Sequence, residues 1–342
     1  MKLVAAVASA ALLLGLAGCP SQSHNDSVKA SNEGTKAYGQ KQYDTAIERY
    51  QKAIERWREN HTAWYGLGGS YIGKKDWKNA SDAAEHAVQV APEIAMYQMV
   101  YGYTLYEKAI QQAKEAQAPS QGKKPEEVTP DLSSVNFEKP LQHLQEAIKL
   151  NNELWRAHYY LGRIYRDTGK AKEAAEEFTK ALNGAPPEAA PWVALADLYR
   201  SWDYTDQALA VATQGAAPSV LPDPNEAGDV WYVVGMAYDD KALHEKAIEA
   251  YTKALELRHD LHKAKFQRGQ AYFKKGDYTS AKRDLEEFSK TGGASVDFSK
   301  QQAAKMLMDI AAKSATPASP AEKPSPEDMV KKGKGGKGKK GA

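Results

Sequence analysis

A small residue returns at near-constant spacing through this chain, at Gly34, Gly68, Gly102, Gly162, Ala196, Gly235 and Gly269, and four of the six intervals are 34 residues long. A pattern travels with it. Trp64, Leu67, Gly68 and Tyr71 align with Trp231, Val234, Gly235 and Tyr238, with Trp192, Leu195, Ala196 and Tyr199, and with His158, Leu161, Gly162 and Tyr165. Twelve residues beyond the small position stands an alanine (Ala80, Ala174, Ala208, Ala247), and seven further on a second small residue (Ala87, Ala181, Gly215, Ala254). Between these two sits a packing residue: Ala84, Phe178, Ala212 or Tyr251. A period of this length holds one supersecondary unit, too small to bury its apolar face alone, so successive units must stack and share a core. Small side chains at fixed register mark the places where two helices approach closely.

The pattern resembles the tetratricopeptide repeat (TPR), a helix–turn–helix unit of about 34 residues. The resemblance implies an all-α fold, a right-handed TPR superhelical solenoid. The register gives seven repeats, about 27–60, 61–94, 95–154, 155–188, 189–222, 228–261 and 262–295. The end repeats depart from the pattern: the first has Ala30 and Ala37 for the aromatic residues, and the seventh has Arg268 where Leu or Val is expected. Terminal repeats of a solenoid are often atypical because one face meets water. The 60-residue interval places an insert near 109–134, read as a continuation of the helix past Tyr106 and then a mobile loop carrying Pro119, Gly122, Pro125 and Pro130. Residues 296–313 read as one amphipathic capping helix through Phe298, Ala304, Met306, Leu307 and Ile310. Beyond it the composition turns to Pro, Ser, Lys and Gly, and the six lysines of 331–342 face no acidic residue in that stretch. Such a segment cannot bury a core, so 314–342 is expected to be disordered.

The N-terminus carries a different signal. Lys2 precedes an apolar run from Leu3 to Leu14, and Leu16-Ala17-Gly18-Cys19 follows. A positive start, a short apolar core and small residues at the cut are the three parts of a secretory signal. The tetrapeptide resembles the lipobox of bacterial lipoproteins, in which cleavage falls before the cysteine and lipid is attached to its sulfur. That resemblance implies a signal peptide over 1–18, acylation (palmitate or a similar chain) at Cys19, a lipidated linker over 19–26 and export to the cell envelope. Pro20, standing where Asp would retain the protein in the inner membrane, favours the outer membrane facing the periplasm. Cys19 is the only cysteine, so a disulfide framework is impossible and stability must come from packed apolar surface.

Several function classes find no support. The formal net charge is +2, which gives no global field for nucleic acid. The glycines of Gly66–Gly73 lack the spacing of a phosphate loop, because Tyr71 stands where the third glycine belongs. The histidines show no zinc-peptidase spacing, and no Gly-x-Ser-x-Gly elbow occurs. No catalytic residue, metal site or cofactor is therefore expected, and the chain is not read as an enzyme.

A binding groove is better supported. In this family the first helix of each repeat lines the concave side, and residues three, four and seven apart share a helix face. That spacing turns Tyr65, Gly69 and Ile72 inward in the second repeat and Met96, Met99, Tyr103 and Tyr106 in the third. The fourth repeat offers Arg156, Tyr159, Arg163 and Arg166, the fifth Arg200, and the sixth Tyr232 and Met236. Tyr, Met and Arg are enriched where proteins bind proteins. Arg156, Arg163 and Arg166 form a face suited to a carboxylate or phosphate on the partner. Packing between neighbouring repeats is the alternative role for any of these side chains. Tyr159 and Arg163 occupy the slots of the family's carboxylate clamp, so binding of a chaperone tail is not implied.

These readings converge on a membrane-anchored scaffold or adaptor of the bacterial envelope, holding an envelope protein in its TPR groove. The chain is similar to pilotin-type lipoproteins of pilus secretins, gliding-motility lipoproteins and adaptors for peptidoglycan hydrolases. A glycan- or cell-wall-binding module, using the tyrosines and an anionic surface contact through the lysine tail, is the alternative.

Overall fold

The computed structural model describes residues 22–184, 186–290 and 297–315. The signal segment, Cys19 and the lysine-rich end lie outside the described residues. Among the described residues there are fifteen α-helices, one short 3₁₀ turn and no strands. Seven helix pairs follow one another: α1 (Gln22–Gly39) with α2 (Tyr43–Arg56), α3 (His61–Gly73) with α4 (Trp77–Val90), and α5 (Ala95–Gln121) with α6 (Glu138–Leu150). Next come α7 (Trp155–Asp167) with α8 (Ala171–Asn183), α9 (Ala189–Ser201) with α10 (Thr205–Gly215), and α11 (Pro224–Asp240) with α12 (His244–Leu257). The last pair is α13 (His262–Lys275) with α14 (Tyr278–Ser289), and α15 (Asp297–Ala315) ends the described chain. The chain divides into two compact units, residues 1–261 and 262–342.

Six of the seven pairs are closed by the same turn, the exception being α5 and α6, which the insert joins. One residue adopts left-handed backbone at Lys41, Lys75, Gly169, Asp203, Ala242 and Gly276, with φ between 55° and 88°. The amide just beyond it donates back across the turn, from Asp76 to Tyr71, Lys170 to Tyr165, Tyr204 to Tyr199, Leu243 to Tyr238 and Asp277 to Tyr272, at 2.8 to 3.0 Å. These are the six-to-one bonds that satisfy orphan carbonyls at a helix end. The recurrent tyrosine of the sequence pattern is thus the residue whose carbonyl anchors the turn. At four of these turns a residue other than glycine takes the left-handed conformation, which costs about 1–2 kcal/mol each.

The small positions let the two helices of a pair touch through a large partner. A Cβ on Gly235 would lie 2.4 Å from the Tyr251 ring, one on Gly162 2.6 Å from Phe178, and one on Gly34 2.9 Å from Tyr50. At Gly102 the ordinary partner is displaced by the insert, and Leu144 fills its place at 2.8 Å. Where the packing position is alanine, as at Ala84, the facing Gly68 has open contacts of 3.6 Å or more. The alanines twelve residues on (Ala46, Ala80, Ala174, Ala208, Ala247, Ala281) are all 0% exposed.

Two stretches differ from the sequence reading. Helix α1 starts at Gln22, inside the segment read as linker. His24 packs against the Trp57 ring at 4.2 Å, and Ser27 donates to the Ala53 carbonyl at 2.7 Å and accepts from Asn60 at 2.9 Å, which holds the early helix onto α2 and α3. The insert is also tied down. Helix α5 runs on to Gln121 and ends on left-handed Gly122. Gln117 then clamps the returning chain, donating to the Asp131 carbonyl and accepting from the Asp131 amide, both at 2.9 Å. Val128 and Phe137 are buried, and Leu132 and Val135 pack against the core around Tyr106 and Leu144.

In the second unit, Phe266, Leu285, Phe288, Ala303 and Ile310 from α13, α14 and α15 form one core. The unexpected Arg268 is explained there: it reaches Asp284, itself 1% exposed, with two hydrogen bonds of 2.6 and 3.1 Å. A buried ion pair replaces the apolar contact made in other repeats.

The size-matched pairs predict opposite outcomes for one substitution at two equivalent sites. Gly235→Ala drives a methyl into a Tyr251 ring held by its hydroxyl bond to Asp239, and should destabilise the protein by about 1–3 kcal/mol. Gly68→Ala meets only ordinary contacts and should be neutral or stabilising by up to about 1 kcal/mol from helix propensity. Urea unfolding followed by circular dichroism measures both.

Candidate functional site

The first helices of four successive repeats, α1, α3, α5 and α7, face one cavity of about 730 Å³. Helical spacing decides which side chains reach it. Ser31, Thr35 and Tyr38 come from α1; Thr62, Tyr65, Gly69 and Ile72 from α3; Met96, Met99 and Tyr103 from α5; Arg156 and Tyr160 from α7. Asn32, Thr35, Tyr38 and Thr62 are exposed and form a polar rim, while Met99 and Val100 are buried in the floor.

Ring contacts set the walls. Tyr103 stacks on Tyr160 with centroids 4.3 Å apart and planes inclined by 22°, and meets Trp77 edge-on at 5.7 Å. Tyr65 stacks on Tyr97 at 5.0 Å. Tyr50, from α2, shares a hydrogen bond with Thr35 at 3.0 Å. Burial, with help from the Glu107 carboxylate, pushes the Tyr103 phenol up to about 12. Burial likewise raises Tyr65 and Tyr160, so all three stay neutral hydroxyls near neutral pH. Arg156 is the one charged side chain among the lining residues; it donates to Glu188 and lies 4.4 Å over the Trp155 ring.

Seven of the fourteen residues turned inward by the sequence pattern line this cavity: Tyr65, Gly69, Ile72, Met96, Met99, Tyr103 and Arg156. Tyr159, Arg163 and Arg166 lie beside it on α7. Arg163 donates to Glu107 at 2.8 Å and sits 4.8 Å over the Tyr106 ring, and Arg166 pairs with Asp167 at 2.8 Å. Arg200, Tyr232 and Met236 belong to a separate contact between α9 and α11. Arg200 binds Asp240 at 2.6 and 3.2 Å, Asp197 at 3.0 Å and the Met236 sulfur at 3.5 Å, while Tyr232 is 9% exposed against Tyr251.

Two expectations are corrected. Tyr106 is core, not groove: it is 0% exposed and its hydroxyl donates to Asp167. The arginine face does not wait for a partner's anion, because Arg156, Arg163 and Arg166 each already hold a carboxylate of this chain. Sequence reasoning also passed over Asn32, Thr35, Tyr38 and Tyr160. The face through Ser31, Thr35 and Tyr38 steps by four and three, a signal obscured because the first repeat lacks the aromatic motif. Among the described residues no group of three or more His, Cys, Asp or Glu side chains could hold a metal ion. No described helix is long and apolar enough to cross a membrane.

The Arg163 pair is the polar joint between α5 and α7. Glu107→Gln should destabilise the protein by about 2 kcal/mol, below the usual cost of breaking a buried pair because both side chains keep some solvent contact. Adding Arg163→Met should recover part of that loss in the same urea titration.

Two family models described as tetratricopeptide repeat match the sequence, one over residues 32–92 and 136–191, the other over 228–260 and 262–290. The crystal structure of the APC/C hetero-tetramer Cut9-Hcn1 is similar with a TM-score of 0.57 and 12% identity, covering 81% of this chain and 48% of that one. The chain thus spans about half the length of that protein. MamA matches with a TM-score of 0.38 at 18% identity, covering 70% of this chain and 94% of its own. YrrB, a TPR protein with an unusual peptide-binding site, matches with a TM-score of 0.35 at 21% identity, covering 70% and 90%. No curated protein matches the sequence significantly. The matched segments together span just over half of the residues, and they coincide with the helix pairs described above: the chain belongs to the tetratricopeptide repeat family.

Proposed function

We propose that this protein is a scaffold of the bacterial cell envelope, anchored by lipid on Cys19, that holds a partner protein against its inner helices. The observation that carries the reading is the cavity itself, built from the first helices of four repeats and walled by Tyr38, Tyr65, Tyr103 and Tyr160. Tetratricopeptide repeats act in protein–protein interaction, and rigid aromatic side chains beside adaptable methionines are the surface such contacts use. The lipobox-like Leu16-Ala17-Gly18-Cys19 supports export and attachment, and Pro20 supports the outer membrane. The resemblance to pilotin-type lipoproteins points to assembly of a pilus, secretin or motility complex as the setting.

A photocrosslinking side chain tests the reading when placed at Thr62, on the cavity rim, or at Lys172, exposed on α8, in cells producing the full chain. A discrete envelope protein should be captured from Thr62 and not from Lys172, with the wild-type chain in the membrane fraction and Cys19→Ser in the soluble fraction. Equal capture from both positions would sink the groove reading. Membrane retention of Cys19→Ser would sink the anchor.

A further inference from the structure

The chemistry of the cavity selects among partners. Its floor and walls are apolar or aromatic: Ile72, Met96, Met99, Tyr65 and Tyr103. No carboxylate lines it, and the positive charge of Arg156 is met by Glu188, so no unmet charge faces an occupant. A charged side chain entering there would lose water and gain no counter-ion, a cost that apolar side chains do not bear. The rim adds a second criterion. The Asn32 carboxamide is exposed, has no hydrogen bond among the described residues, and offers one acceptor and a donor group, which matches the donor and acceptor of a peptide unit. A fatty chain would make no use of it.

We infer that the cavity takes an uncharged, apolar segment of a partner protein, its side chains among Tyr65, Met96 and Tyr103 and its main chain against Asn32. This rests on the reading that the inner helices hold a partner, and it sets the partner's chemistry: large aliphatic or aromatic residues, with acidic and basic residues kept out of the seated stretch. Gly69 opens onto this space: a Cβ there would meet the Tyr38 ring first, at 3.6 Å, and a larger side chain would extend into the cavity.

The test uses the full chain carrying Cys19→Ser, so that detergent is unnecessary, and the neutral fluorophore N-phenyl-1-naphthylamine as probe. The probe should bind saturably and be displaced by a capped peptide with a central Leu-Trp pair. Displacement should be at least about tenfold better than by the same peptide with Glu-Glu or Lys-Lys at its centre. The Leu-Trp affinity should change less than about twofold between roughly 50 and 500 mM NaCl, because no ion pair is formed. Gly69→Leu should weaken probe and peptide by at least about tenfold. Met96→Gln, similar in size and adding only a polar group to the floor, should weaken both in the same direction, with melting curves checking that each variant is folded. Asn32→Leu should weaken the peptide while sparing the probe. Stronger displacement by Glu-Glu, with steep salt dependence, would overturn the inference, as would displacement by palmitic acid with none by any peptide. If position-specific capture from Thr62 stands while Glu-Glu wins, the scaffold survives and this inference falls; loss of that capture tells against the scaffold itself.

Discussion

Everything in this fold depends on how closely two helices of a pair can lie. The backbone of the first helix must leave room at one position for a side chain of the second, and glycine leaves the most. Tyr50, Phe178 and Tyr251 press onto Gly34, Gly162 and Gly235 at distances no Cβ would tolerate. Where the second helix brings Ala84, the constraint on Gly68 relaxes. Close packing of this kind is felt at the level of single methyl groups, which is why the small positions recur while their neighbours vary. The turn that follows is equally stereotyped, and it is maintained even where Lys, Asp or Ala must adopt left-handed backbone.

The inner arginines serve this stacking. Arg163 joins α7 to Glu107 on α5, Arg156 joins α7 to Glu188 at the start of α9, and Arg200 joins α9 to Asp240 on α11. Each links the first helix of one repeat to its neighbour, so these charges set the spacing of successive repeats. Guanidinium suits such a joint because its planar fork holds a carboxylate in a fixed direction. An inner face neutralised from within has little long-range pull on charged ligands, and it leaves shape and apolar surface to decide what binds.

The repeat, its period and its helix pairs were legible because close packing leaves a periodic trace in the sequence. Ala80, Ala174, Ala208 and Ala247 could be placed in the core from spacing alone. The left-handed turns were only partly legible: Gly169 and Gly276 hint at them, while Lys41, Lys75, Asp203 and Ala242 do not. The site was read less well. Helical periodicity puts Tyr65, Met99 and Tyr103 on the inner face, but it cannot tell a residue that lines a cavity from one that seals the joint beside it. Tyr106 was lost to the core because the chain after the insert folds back over it through Phe137, and Arg156, Arg163 and Arg200 were lost to carboxylates 32 to 56 residues away in sequence. Such pairings depend on tertiary register, which local spacing does not encode.

The early start of α1 has a mechanical consequence. Only Pro20 and Ser21 separate Cys19 from Gln22, the first helical residue among those described. The three Cα–Cα steps from Cys19 to Gln22 span at most about 11 Å. With lipid on Cys19, α1 would begin close to the bilayer, and α1 is itself packed against α2 and α3. The cavity begins on α1, so it would open within about one helix length of the headgroups. A partner would have to bring its apolar segment down to that height, which selects proteins already lying close to the same membrane surface.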